Sequence, residues 1–179
     1  SLVAEVRAAG GARATDTTRV ADETIPADNW TQLSVTDGKV YAQPEDVLTY
    51  RILVTNREQV KRKITLRAEV PSQLSLHEVT GPHRKQARKI VWEDLEFGPK
   101  ETREFFVTGH VERDVPAFFP LRFRISSGKD SATDTTTIRA EGEEGTDTLM
   151  LSINDGQQVA VPGQTLEYVI VLENPTDQL

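Results

Sequence analysis

Apolar side chains fall at every second position over most of this chain. In 47–56, VLTYRILVTN, Leu48, Tyr50, Ile52 and Val54 alternate with Thr49, Arg51 and Thr55, and 165–174 repeats the arrangement with Leu166, Tyr168, Ile170 and Leu172. Lys63 to Val70 alternates charge or hydroxyl with apolar at each step. Phe105, Val107, Gly109 and Val111 alternate with Phe106, Thr108, His110 and Glu112, and Leu121, Phe123 and Ile125 with Arg122 and Arg124. A period of two sets one row of side chains on each face of a strand, so these segments are predicted to be antiparallel strands, packed on one side and wet on the other. No stretch keeps apolar residues at i, i+3, i+4 and i+7 over three turns, so no substantial helix is expected. Turn signals separate the strands: Asp37-Gly38, Pro44-Glu45-Asp46, Gly81-Pro82, Gly98-Pro99 and Ser127-Gly128. Seven or so short strands in roughly 110 residues predict an all-β fold, an immunoglobulin-like antiparallel β-sandwich. Trp92 is its expected core aromatic. Tyr50 and Tyr168 are expected in the core with satisfied hydroxyls, and Asn56 and Asn174 at strand ends, bonded to local backbone.

The chain also repeats itself. Thr15-Asp16-Thr17-Thr18 recurs as Thr133-Asp134-Thr135-Thr136, Leu33-Ser34 as Leu151-Ser152, Asp37-Gly38 as Asp155-Gly156, and Pro44 as Pro162. Leu48, Tyr50, Ile52 and Asn56 recur as Leu166, Tyr168, Ile170 and Asn174, and every pair is 118 residues apart. Upstream, Leu2, Ala4 and Val6 match Leu121, Phe123 and Ile125 once one residue is inserted in the Ala9-Gly10-Gly11 turn, where insertions are tolerated. A fixed period of this kind marks a repeat architecture. The 179 residues hold one full period and about half of another. The expected organisation is closing strands of a preceding repeat at 1–22, a complete immunoglobulin-like domain at 29–138, an acidic linker at 139–146, and opening strands of a following repeat at 147–179. On that division the chain is a window on a longer tandem array, with two sheet edges left for other partners.

Composition narrows the chemistry. The chain has no Cys, which removes disulfides, thiolate metal sites and a Cys nucleophile. The net charge of −7 argues against general nucleic-acid binding, which needs an excess of Lys and Arg. No apolar run approaches the ~18 residues of a membrane helix, so no direct membrane insertion of this segment is expected, and Ser1 to Glu5 lacks a signal-peptide pattern. His77, His83 and His110 are scattered, and no nucleophile elbow or metal-binding His pair is present. The expectation is that the protein is not an enzyme and holds no cofactor.

The alternating stretches Pro44-Glu45-Asp46 to Asn56 and Pro162-Gly163 to Asn174 resemble the opening of the tandem "conserved repeat domain" of prokaryotic surface proteins. Further along, Val70-Pro71 with Leu74 and Leu76, Trp92 with Leu95 and Gly98, and the Thr-rich 133–137 stand where that family has Leu-Pro, a Trp with a following Leu and Gly, and a closing strand. The resemblance covers essentially the whole 118-residue period. It implies an immunoglobulin-like repeat at the cell surface. Some such domains link a Lys of the opening strand to Asn or Asp in the last strand. Leu33-Ser34-Val35-Thr36 and Leu151-Ser152-Ile153-Asn154 have no such Lys, so that covalent staple is not expected here.

Two charge features are candidate sites. Asp22, Glu23 and Asp28, and then Glu141, Glu143, Glu144 and Asp147, occupy the two linkers. Converging carboxylates there could hold calcium between sandwiches, or the linkers could be solvated and self-repelling spacers. Residues 57–89 carry nine basic side chains against three acidic, a net +6, whereas 140–179 carries eight acids and no base. Arg57, Lys61, Lys63, Arg84, Lys85, Arg88 and Lys89 could therefore meet Glu141, Glu143 and Glu144 of a neighbouring repeat or an identical chain, or simply decorate the surface. The functional expectation is a structural repeat segment of a large extracellular prokaryotic protein: a stalk, surface layer or filament that assembles through its sandwiches, with strand complementation as one route. The alternative is an adhesin or a carbohydrate- or protein-binding module, with ligand loops at 81–89 or at Pro116-Ala117-Phe118-Phe119-Pro120.

Overall fold

The computed structural model describes residues 2–7, 13–20, 30–139, 150–155, 159, 160, 165, 166 and 168–173. All its regular elements are strands. β1 (Leu2–Arg7) and β2 (Arg13–Val20) come first. Then follow β3 (Thr31–Thr36), β4 (Tyr41–Ala42), β5 (Val47–Asn56), β6 (Arg62–Glu69), β7 (Leu74–Val79), β8 (Arg84–Gln86), β9 (Lys89–Phe97), β10 (Thr102–Val111), β11 (Pro120–Ser127) and β12 (Asp130–Ile138). β13 (Met150–Asn154), β14 (Val159–Ala160) and β15 (Val169–Glu173) end the described chain.

β3 to β12 build an immunoglobulin-like β-sandwich. One sheet runs β3-β5-β10-β7 and the other β4-β12-β11-β6-β9-β8. Neighbours pair antiparallel except β4, which lies parallel to β12 through Tyr41 opposite Thr137 and Ala42 opposite Ile138. The alternation seen in the sequence is the cause: Leu48, Tyr50, Ile52 and Val54 of β5 face inward, and Ile64, Leu66 and Ala68 of β6 and Leu121, Phe123 and Ile125 of β11 meet them from the other sheet. Trp92 is fully buried as expected, packs on Phe105 at 5.6 Å between ring centroids, and donates its indole N–H to the Thr80 carbonyl at 2.8 Å. Tyr50 stacks on Phe123 at 4.1 Å. Each such large side chain contributes about 1.5–3 kcal/mol by leaving water.

Local chemistry sets where the chain turns between layers. After β3 the backbone takes a left-handed step at Gly38, φ 73°, which a residue without Cβ adopts at little cost. The chain then leaves the first sheet and β4 joins the second. Asp37 stands at this crossover. At the other end of β5, the Asn56 side chain donates to the carbonyls of Val60 at 2.8 Å and Gly98 at 2.7 Å and accepts from the Glu58 N–H at 3.0 Å. Asn56 thus ties the strand end to its own loop, as expected, and also to a second loop that sequence alone does not connect.

The outer strands copy part of this sandwich. β1 pairs β2 with Leu2 opposite Thr18 and Ala4 opposite Asp16, as β11 pairs β12 with Leu121 opposite Thr136 and Phe123 opposite Asp134. β13 pairs β15 with Ile153 opposite Ile170, as β3 pairs β5 with Val35 opposite Ile52. β14 lies parallel to β2, with Val159 opposite Arg19 and Ala160 opposite Val20, which is the β4 to β12 pairing moved by 118 positions.

Candidate functional site, a carboxylate joint made twice

Alternation along β12 puts Ala132, Asp134, Thr136 and Ile138 on its inner face, so a carboxylate and a hydroxyl point into the core. Asp37 at the crossover meets them. Its backbone N–H donates to Asp134 Oδ2 at 2.9 Å, Thr136 Oγ1 donates to Asp37 Oδ2 at 2.6 Å, and the Lys39 N–H donates to Asp37 Oδ1 at 2.8 Å. Burial pushes the Asp134 carboxyl up to about 7, and the nearby Asp37 charge adds to the shift. Asp37 is raised as well, chiefly by burial, while its hydrogen bonds from Thr136 and Lys39 oppose the rise. Two carboxyls this close cannot both ionise cheaply, so the pair holds on to one proton up to about pH 7. With the proton on Asp134, that carboxyl donates to Asp37 and the crossover is held to the closing strand.

The Tyr50 hydroxyl lies in the same region and is buried without a hydrogen-bond partner. This corrects the expectation of a satisfied hydroxyl. The ring is positioned by its stack on Phe123, and of the polar groups near its hydroxyl only Thr136 eases its ionisation. Burial and then the Asp37 and Asp134 charges drive its ionisation far above the usual phenol range.

The joint is built again from the outer strands. Thr18 Oγ1 donates to Asp155 Oδ2 at 2.5 Å and the Asp155 N–H donates to Asp16 Oδ2 at 3.1 Å. Asp16, Thr18 and Asp155 are Asp134, Thr136 and Asp37 displaced by 118 positions. Thr18 and Asp155 are buried, and burial raises the Asp16 carboxyl with the Asp155 charge adding to it. In the first joint the partners are about a hundred residues apart; in the second they come from opposite ends of the described chain.

No family model matches this chain, and no curated protein matches it. Among solved structures it is similar to the crystal structure of the major pilin subunit of Bacillus cereus, at 12% sequence identity and a TM-score of 0.44. The match covers 81% of this chain and 56% of the pilin chain, so this chain spans little more than half of that subunit. A likeness that remote bears on neither activity nor assembly.

The residues singled out for assembly spread over the sandwich. Lys61 and Lys63 both approach Glu96, Arg84 approaches Glu93 at 3.3 Å and Lys89 approaches Glu69 at 3.6 Å, all exposed pairs worth under about 1 kcal/mol each. Arg88 donates to the Pro71 carbonyl at 3.1 Å. Arg57 is half-buried beside Asp130, where burial lowers its pKa and the carboxylate opposes the fall. Arg84 and Lys85 lie on β8, which forms a hairpin with β9. The proposed calcium ligands Asp22, Glu23, Asp28, Glu141, Glu143, Glu144 and Asp147, three of which were also the acidic side of the assembly set, lie outside the described residues. Among the described residues no three His, Asp or Glu side chains converge on a metal position, and no helix is long and apolar enough to cross a membrane. His77 and His110 meet edge to face at 5.7 Å. Of the two Phe considered for a ligand loop, Phe119 packs against the core and Phe118 is 71% exposed.

The paired carboxylates were not among the residues singled out from the sequence. The signal was nevertheless there, because both Thr-Asp-Thr-Thr and Asp-Gly recur at the same period. An Asp at an inward position of an alternating strand needs a partner, and a second recurring Asp supplies it.

Proposed function

We propose that this chain is a structural segment of tandem immunoglobulin-like repeats from a large extracellular prokaryotic protein, serving a cell-surface stalk, surface layer or filament. The observation that carries this reading is the joint itself: the same two carboxylates, the same threonine and the same parallel strand pair occur twice, 118 residues apart. In a load-bearing repeat the tie and the strand ladders resist separation of the opening and closing strands. The units would run over 1–22, 29–138 and 147–179, with 139–146 as an acidic spacer and calcium as an optional stiffener of the two linkers. Neighbouring repeats or identical chains are the partners, and no cofactor or reaction is required.

Antibodies raised against 30–139 provide the test. They are expected to label intact cells of the source organism, and brief protease treatment of those cells should remove the label. Labelling only after lysis would overturn the reading. A glycan and protein screen with the full chain separates it from the adhesin alternative, since a spacer binds nothing saturably.

A further inference from the structure

The second joint unites segments that are not neighbours in sequence. β2 accepts β14 on its edge and Asp155 over its inner face, although a complete sandwich lies between them in the chain. Every contact that defines this joint is local to 16–20 and 155–160. Nothing in it depends on which chain supplies either side. Resting on the repeat-segment reading above, we propose that this joint is exchanged between molecules: the opening strands β13 and β14 of one copy seat on the closing strands β1 and β2 of a second copy.

Three observations support exchange. The same joint forms in the sandwich of β3 to β12 between cognate strands and here between non-cognate ones, with hydrogen bonds of 2.6 and 2.9 Å in one and 2.5 and 3.1 Å in the other. Opening and closing sets are therefore interchangeable. The outer set is also loosely tied. β5 and β11 each pair on both edges, whereas among the described residues β15 pairs only β13 and β1 only β2. Leu2, Ile170 and Leu172 are 46%, 54% and 57% exposed, where their counterparts Leu121, Ile52 and Val54 are 0%. Parting the outer set breaks the joint together with the packing of β13 on β1 and β2, and both are regained in the partner. Such an exchange uses different patches on the two copies, so it extends head to tail instead of closing as a pair. Within one chain, closure competes only through effective concentration, which high protein concentration overcomes.

The absence of Cys makes the test direct. In the full chain, Arg19→Cys and Val159→Cys place two thiols at opposed positions of the β2 to β14 pairing. Oxidation across a protein dilution series, read on non-reducing gels, is expected to give disulfide-linked monomer at low micromolar concentration and a multimer ladder that grows at least tenfold toward millimolar. A mixture of the two single-Cys chains should give heterodimers in excess of both homodimers. Monomer alone at every concentration, or no disulfide at all, overturns exchange. A ladder equally strong when Val60→Cys replaces Val159→Cys overturns it as well, because Val60 is exposed and far from the joint in sequence. A cyclised monomer from a protein that labels at the cell surface removes exchange and leaves the repeat reading standing. A ladder from a protein found only inside cells does the reverse.

Discussion

Asp134 Oδ2 accepts the backbone N–H of Asp37 at 2.9 Å, and this bond ties the crossover between sheets to the closing strand of the sandwich. Both side chains are acidic, Asp134 is buried and Asp37 half-buried, so the strength of the tie depends on a proton. The consequence is a stability that changes with pH in a predictable sense.

Asp134 binds its proton more tightly folded, at about 7, than unfolded, at 3.8. A raised folded value stabilises the protein fully below the unfolded value, and that contribution is lost as pH rises through about 7. Urea midpoints of the full chain, followed by Trp fluorescence, should therefore fall between pH 4 and pH 8. Asp134→Asn mimics the protonated partner and should flatten this slope, leaving the variant about 1–3 kcal/mol more stable than the parent at pH 8. Parallel slopes for the two proteins would refute the shared proton.

The two threonines separate the joints. Thr136→Val removes the hydroxyl donor to Asp37 and should destabilise the sandwich by about 1–3 kcal/mol, because a buried carboxylate loses a hydrogen bond. Thr18→Val removes the matching donor to Asp155. It should leave the main unfolding transition within about 0.5 kcal/mol of the parent while lowering hydrogen-exchange protection of β13 and β14. Equal effects of both substitutions on the main transition would show that the outer strands unfold with the sandwich.

Tyr50→Phe runs against the usual expectation for a buried tyrosine. The hydroxyl has no partner, so its removal ends a desolvation cost without breaking a bond. Thermal unfolding should show no loss and a gain of up to ~1 kcal/mol, with the Phe123 stack kept. A loss above ~1 kcal/mol would reveal a hydrogen bond at that hydroxyl.

Gly109 sits where β10 shifts register against β7. A Cβ there would stand 2.8 Å from both Leu74 Cγ and the Ser75 carbonyl oxygen. The carbonyl belongs to backbone and cannot swing aside, so Gly109→Ala should cost about 1–3 kcal/mol, measured by denaturant titration. Gly128→Ala gives a comparison in which the added methyl meets nothing within 4 Å and the cost comes from its φ of 58° alone.

Much of the fold was legible because alternation is a local property. Leu48 to Val54 and Leu121 to Ile125 announce their buried faces without reference to anything distant, and Trp92 among apolar neighbours announces a core position. Phe118 and Phe119 were less legible, since adjacent aromatics at a strand start give no sign of which one points inward. The basic side chains at 57–89 were visible as a run, but their dispersal into exposed pairs with Glu69, Glu93 and Glu96 depends on cross-strand register that no run of charge encodes.

The sequence alone determined the strands, their inner faces and the 118-residue period, because side-chain alternation and repetition are written in neighbouring positions. Tertiary structure alone decided that Asp37 meets Asp134, 97 residues away, and that Asp155 meets Asp16, 139 residues away. The physical reason is loop closure: which distant carboxylates become neighbours follows from how whole sheets stack, and only after stacking does burial turn two ordinary acids into a proton-sharing tie.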